Sequence, residues 1–225
     1  LFGIPVYIRP SFWVVLAIFG GALSISSVED LIYPALFVIA GFVAILSHEM
    51  GHALVGRKLG GGQQTIVLEL FGGLTSSHGM QLTRGGRALM ILAGPMMTLL
   101  LGIISLGLTW NIVAPVMTSY NLNFWDLAIS PFTAALISPK LYILSCLIMI
   151  GEWWTILNLL PIYPLDGGQL IAQYIRSPRK VFMTGFITAI LIGLLSFQLF
   201  HGYFIPIFMA LFAYSNYREY KNAPF

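Results

Sequence analysis

His48-Glu49-Met50-Gly51-His52 places two imidazoles and a carboxylate inside a long apolar run, Ile32 to Val55. In a helix, residues four apart share a face, so His48 and His52 can grip one metal ion with Glu49 beside it. A second polar constellation, Asn158-Leu-Leu-Pro161-Ile-Tyr-Pro164-Leu-Asp166-Gly167-Gly168, ends a later apolar run. Asp166 is the best candidate for a third ligand, because an irregular turn broken by Pro161 and Pro164 could aim its carboxylate at the metal. The alternative is an Asx residue that stabilises the turn. Asn158 could donate a hydrogen bond to a developing oxyanion or to substrate backbone, or satisfy carbonyls freed near Pro161.

Two imidazoles and one carboxylate suit zinc and leave a fourth position for water. Zinc lowers that water's pKa from about 15.7 toward about 7, so a hydroxide equivalent is available at neutral pH. Glu49 is placed to take the water's proton and pass it to a leaving amine. The chemistry indicated is metal-assisted hydrolysis. Idle ionisable groups at this depth would cost about 2.5–3.5 kcal/mol each on insertion scales, so an uninvolved polar trio is a poor explanation.

The surrounding chain is built for lipid. Of its 225 residues 58% are hydrophobic and 8% charged, against about 25% charged in soluble domains; mean hydropathy is +0.87. The net charge of +3 is scattered over the ends of apolar runs, which marks topology and excludes nucleic acid as a partner. The single cysteine, Cys146, allows no internal disulfide and no cysteine-rich metal site; its setting suits a small apolar packing residue.

Six spans are expected: Phe12 to Ser26, Leu31 to Val55, Ala88 to Trp110, Leu141 to Leu160, Val181 to Phe200 and Tyr203 to Tyr217. The first is interrupted by Gly20-Gly21 and the last is short. With both termini cytoplasmic, Arg9, Arg57, Lys58, Arg84, Arg87, Arg176, Arg179, Lys180, Arg218 and Lys221 all face the cytoplasm, while Glu29, Asp30 and Asp126 face away; only Lys140 dissents. Spans two and four then both run inward, which takes His48 to His52 and Asn158 to Asp166 toward the cytoplasmic ends of their helices. Lipid is the constant partner, and no oligomeric state is specified.

Between spans two and three, Gly60-Gly61-Gly62 and Gly72-Gly73 bracket Gln63 to Phe71, where Thr65, Val67 and Glu69 alternate with Ile66, Leu68 and Leu70. That pattern predicts a strand in a small hairpin or sheet. Its role is either that of a plain linker or of an edge that pairs with an extended substrate. Asn111 to Lys140, with Pro115, Trp125 and Pro131, reads as a loop on the outer interface. Glu152 falls inside span four, where it could pair with a polar neighbour or line a water path. His78 and His201 fall in loops and Glu69 in the strand, and none of the three is expected to join the metal site. A transporter would string its polar groups along a path, often through related halves; here they converge at one depth and no repeat is found.

H-E-x-x-H in one span followed by N-x-x-P-x-x-P-L-D-G in a later one, about 110 residues on, resembles the site-2 protease family of intramembrane zinc metalloproteases. Leu92-Ala-Gly94-Pro95, the glycine-flanked strands and Ile4-Pro-Val before Pro10-Ser-Phe extend the resemblance weakly. It implies regulated proteolysis of transmembrane segments of membrane-anchored proteins, one zinc per chain held by His48, His52 and Asp166, Glu49 as catalytic glutamate and Asn158 as the functional asparagine. The fold it implies is an all-α membrane protein with a small hairpin or sheet after the second span. Residues 1–225 would form a single protease domain whose core spans about 31–175, the outer spans controlling lateral entry, with neither the PDZ nor the CBS domain that members often carry.

Overall fold

A computed structural model describes residues 1–70, 72–79, 81–120, 128 and 130–224. It comprises two compact units, Leu1–Thr155 and Ile156–Phe225. Both are mainly helical.

The first unit opens with a short strand, β1 (Val6–Ile8), and a helix, α1 (Pro10–Phe19). Proline at the first helical position suits the start of α1, because its missing N–H has no helical partner there. Gly20 and Gly21 end it, Gly21 at φ +86°, and single 3₁₀ turns at Ala22–Ser24 and Glu29–Leu31 lead into α2 (Ile32–Gly60). The strands β2 (Gln63–Glu69) and β3 (Gly72–His78) follow, then α3 (Arg84–Tyr120), a short α4 (Pro131–Ala135) and α5 (Pro139–Asn158).

The predicted strand is present, within a three-stranded sheet of order β1-β2-β3. β2 pairs antiparallel with β3, from Gln63 opposite His78 to Glu69 opposite Gly72. β1 adds in parallel on the other side, Val6 opposite Ile66. Gln64, Ile66 and Leu68 point inward along β2, as alternation requires. Ile66 and Leu68 join Ile4, Phe12, Leu16, Ile45, Met50 and Ala53 in one core, so the N-terminal segment and the sheet both pack on α2. Arg57 donates to the Phe2 carbonyl at 2.7 Å, which ties the segment before β1 to the C-terminal end of α2, and Arg9, just after β1, pairs with Glu69 of β2 at 3.2 Å. Cys146 is buried with Ala40 and Tyr142, as its apolar setting suggests.

Four helices among the described residues are long and apolar enough to cross a membrane: Ile32–Gly60, Arg84–Ala114, Pro139–Asn158 and Pro178–Leu199. The first and last expected spans are not among them. The glycine pair cuts α1 to 10 residues, about 15 Å of helix against a hydrocarbon core about 30 Å thick. The last helix carries Arg218, Glu219 and Lys221 in its final turns, which leaves its apolar part short. The expected loop from Asn111 is also corrected, because α3 continues to Tyr120. There the Asn111 side chain folds back onto the Gly107 carbonyl at 2.8 Å. Trp125 and Asp126 lie outside the described residues.

The second unit contains the end of α5, a turn, α6 (Asp166–Ala172), α7 (Pro178–Phe200) and α8 (Phe204–Asn222). α7 and α8 form an antiparallel hairpin whose core holds Ala189, Met209 and Ala213 with Ile162 of the turn.

Candidate metal centre

The metal-capable cluster found among the described residues joins His48, Glu49 and His52, and the expected third ligand, Asp166, is not part of it. One donor atom from each of His48, Glu49 and His52 lies within 4.8 Å of the others. All three side chains are buried, at 2%, 5% and 8% exposure. The helical four-residue spacing sets the two rings nearly perpendicular, 81°, with Nε2 to Nε2 at 3.1 Å. Two nitrogens bound to one tetrahedral zinc at about 2.0–2.1 Å stand about 3.3 Å apart, so the pair fits that ion with a small adjustment.

His52 Nδ1 lies 2.8 Å from the Met90 carbonyl. A carbonyl only accepts, so Nδ1 carries the proton and Nε2 presents its lone pair to the cluster. This is the usual way in which a second partner fixes the tautomer of a ligand imidazole. α3 also supplies the wall behind the rings. A methyl group on Gly94 would stand 2.2 Å from His52 Nε2 and 2.9 Å from His48 Nε2, so the rings occupy the space a side chain there would fill. Next to His52, a Cβ on Gly51 would meet the Ala93 carbonyl oxygen at 2.4 Å, which shows how closely α2 and α3 approach at the histidines.

Glu49 is held by the sheet. Thr75 Oγ1 donates to Glu49 Oε2 at 2.7 Å and also lies 3.1 Å from the Glu49 carbonyl. A Cβ on Gly73 would be 2.2 Å from Glu49 Cγ and 2.5 Å from Cδ, so the carboxylate lies directly across β3. Gly72, at φ +121°, passes under the Trp154 ring where a side chain would collide at 2.6 Å. A contiguous motif reveals His48, Glu49 and His52. Met90, Gly94, Gly73 and Thr75 have no such signal beyond the glycines themselves.

Asn158 and Asp166 belong to the second unit. Asn158 is the last residue of α5 and Asp166 the first of α6; both are buried. The turn between them is compact, with hydrogen bonds from Leu160 to Leu157 and from Leu165 to Ile162. It contains a cis peptide between Tyr163 and Pro164. Gly167 and Gly168 permit that compactness, since a Cβ on either would come within 2.4 Å of backbone atoms of the turn. The sequence reading missed Asn216 on α8, which is 1% exposed. Its amide donates to the Tyr163 carbonyl at 2.6 Å and to the Phe212 carbonyl at 2.9 Å. His78 ends β3 and His201 caps α7, both exposed and outside the cluster.

A family model for peptidase family M50 matches residues 36–200, well over half of the chain. A zinc metalloprotease of Methanocaldococcus jannaschii is 28% identical over 95% of this chain and 57% of its own length. A Mycobacterium tuberculosis protein provisionally named zinc metalloprotease Rip3 is 30% identical over 59% of this chain and 29% of its own. The chain thus spans little more than half the length of the first relative and less of the second. Among solved structures, the site-2 protease from Methanocaldococcus jannaschii superposes with a TM-score of 0.60 at 23% identity, covering 98% of this chain and 92% of that one. The chain belongs to peptidase family M50, is an integral membrane protein, and has the fold of a site-2 protease.

Proposed function

We propose that the protein is an intramembrane zinc metalloendopeptidase that hydrolyses peptide bonds in transmembrane segments of membrane-anchored substrates. The observation that carries this reading is the pair of imidazole Nε2 atoms 3.1 Å apart with Glu49 beside them, inside a helix apolar enough to cross a bilayer. The relatives' shared designation as zinc metalloproteases supports the same activity.

His48 and His52 would hold the ion, with Asp166 as the third ligand; the support for Asp166 is its place at the start of α6, after the braced turn. When bound, zinc supplies Lewis acidity that makes a water nucleophilic near neutral pH and polarises a carbonyl. Glu49 accepts the water's proton and delivers it to the leaving amine. Thr75 keeps one carboxylate oxygen hydrogen-bonded while the other stays available for proton transfer. Asn158 donates to substrate backbone or to the developing oxyanion. β3 is an edge strand of its sheet, so an unwound substrate segment can add to it through backbone hydrogen bonds. Such an addition would bring the scissile bond past Gly73 and Glu49.

Basic residues mark particular helix ends: Arg57 and Lys58 end α2, Arg84 and Arg87 open α3, and Arg179 and Lys180 open α7, while Lys140 opens α5. The basic ends of α2 and α3 support a cytoplasmic position for the metal-centre end of α2 and, through the contact of the N-terminal segment with that end, for the N-terminus. A cytoplasmic C-terminus follows only if α8 turns back across the bilayer. The two units are read as parts of one protease domain.

The test is a pair of variants assayed in liposomes for metal content and for cleavage of a transmembrane peptide. Glu49→Gln should keep stoichiometric zinc and lose turnover by at least about a hundredfold, the lower range for one general base. Asp166→Ala should lose or weaken zinc binding. Full turnover in Glu49→Gln removes the proposed base, and unchanged zinc affinity in Asp166→Ala removes the third ligand.

A further inference from the structure

Glu152 has no place in the mechanism above. It lies six residues before the end of α5, about 9 Å inside the helix terminus, in a span of mean hydropathy 1.4. A carboxylate at such depth costs about 2.5–3.5 kcal/mol on insertion scales and persists where a partner or a path requires it. No hydrogen bond or ion pair reaches Glu152 from the described residues. Two hydroxyls on the same pair of helices are already engaged: Thr98 and Thr155 lie 2.9 Å apart, and both donate to the Pro95 carbonyl.

The neighbouring residue explains the shape of the site. A Cβ on Gly151 would lie 3.0 Å from the Thr98 carbonyl oxygen and 3.8 Å from Gly102 Cα, so α3 and α5 nearly touch at backbone level. Glu152 emerges at the rim of this crossing, beside a cavity of about 40 Å³ bounded by Leu99, Gly102, Ile103, Leu106 and Ile148. Every residue of that lining except Glu152 is apolar, and the helical N–H groups are committed to their own ladders. The notch therefore holds a strong acceptor and no donor, with room for a small polar group such as an ammonium, since one water needs about 10–15 Å³ of such space. Leu99 and Ile103 on its lining are exposed, an apolar surface suited to another helix.

We propose that this notch recognises the transmembrane segment of a substrate through a lysine at matching depth, whose methylene stem crosses the apolar rim and whose ammonium meets Glu152. Charge complementarity selects the occupant, because the donor the carboxylate needs must arrive with it. The inference names a substrate class and rests on the reading that substrates are transmembrane segments.

The test uses a Leu/Ala-rich transmembrane peptide in liposomes, with a single lysine stepped one position at a time. Binding to the Glu49→Gln variant is followed by energy transfer, so no turnover is needed. A window of lysine positions about one helical turn wide should bind about tenfold tighter than the lysine-free peptide, as a charge-assisted hydrogen bond allows. Adding Glu152→Leu should flatten the profile. So should Glu152→Gln, which keeps the side-chain shape and separates charge from packing. Glu152→Lys should shift the preference to a peptide carrying glutamate at the same depth. A flat profile with Glu152 intact, or an unchanged one in Glu152→Leu, overturns the proposal, as does loss of turnover in Glu152→Leu on every peptide alike, which would assign Glu152 to water delivery. Depth-dependent binding with no cleavage by the unmodified enzyme would sink the protease reading and leave the notch standing.

Discussion

At the scale of residues, the metal centre is shaped as much by glycines as by the groups that do chemistry. Gly94 and Gly73 each occupy a place where a methyl group would displace a functional side chain, but different ones. Gly94→Ala pushes on both imidazoles and should weaken zinc binding, read as metal content after dialysis against a mild chelator. Gly73→Ala pushes on the Glu49 carboxylate and should retain zinc while cleavage falls by at least about tenfold, the scale on which misplaced catalytic groups fail. If both variants lost zinc equally, the division of labour between α3 and β3 would be wrong. His48, Glu49 and His52 are legible in the sequence because one turn of helix brings them together. The Met90 carbonyl and the Thr75 hydroxyl are not, since they reach the site across 38 and 26 positions, and no local pattern encodes that approach.

At the scale of elements, α8 braces a turn it does not belong to. Asn216 satisfies the Tyr163 carbonyl within the segment that leads to Asp166, and Gly185 on α7 leaves room for its amide. Replacing Asn216 by leucine strands a buried carbonyl at a cost of about 1–3 kcal/mol. If Asp166 is a ligand, Asn216→Leu should lower zinc affinity while leaving the helical circular dichroism of the reconstituted protein intact. Normal zinc affinity would confine Asn216 to helix packing. The elements themselves were only partly legible. Hydropathy located α2, α3, α5 and α7 because their apolar runs are long, and alternation located β2. The first and last runs, expected as spans, are not among the four helices picked out by length and composition: a hydropathy count does not register the glycine pair that ends α1 or the charges in the final turns of α8. β1 was missed because three residues carry too little alternation; it is recognisable as a strand only through its pairing with β2.

At the scale of the whole molecule, the cost of exposing backbone in lipid would govern which bonds the proposed protease can reach. A substrate helix has its amides bonded internally, so hydrolysis requires local unwinding, and each unpaired backbone group in hydrocarbon costs several kcal/mol. The sheet offers replacement bonds. β3 is an edge strand, and Gly73 on it lies against Glu49. Unwinding is therefore cheapest where a segment leaves the hydrocarbon near this strand and already contains residues that helices hold poorly. Glycine is less favourable than alanine in a helix interior by about 1 kcal/mol and proline by about 3 kcal/mol. Transmembrane peptides with glycine, proline or asparagine near the cytoplasmic end should thus be cleaved faster than a rigid Leu/Ala span. One such residue should raise kcat/KM by about five- to tenfold in liposome assays, the rate equivalent of about 1 kcal/mol. The same residues at the far end of the segment should give no gain, because unwinding there exposes backbone away from the strand that would receive it. Equal rates for all three peptides would mean that substrate unwinding does not limit cleavage, and the edge of β3 would lose its proposed role.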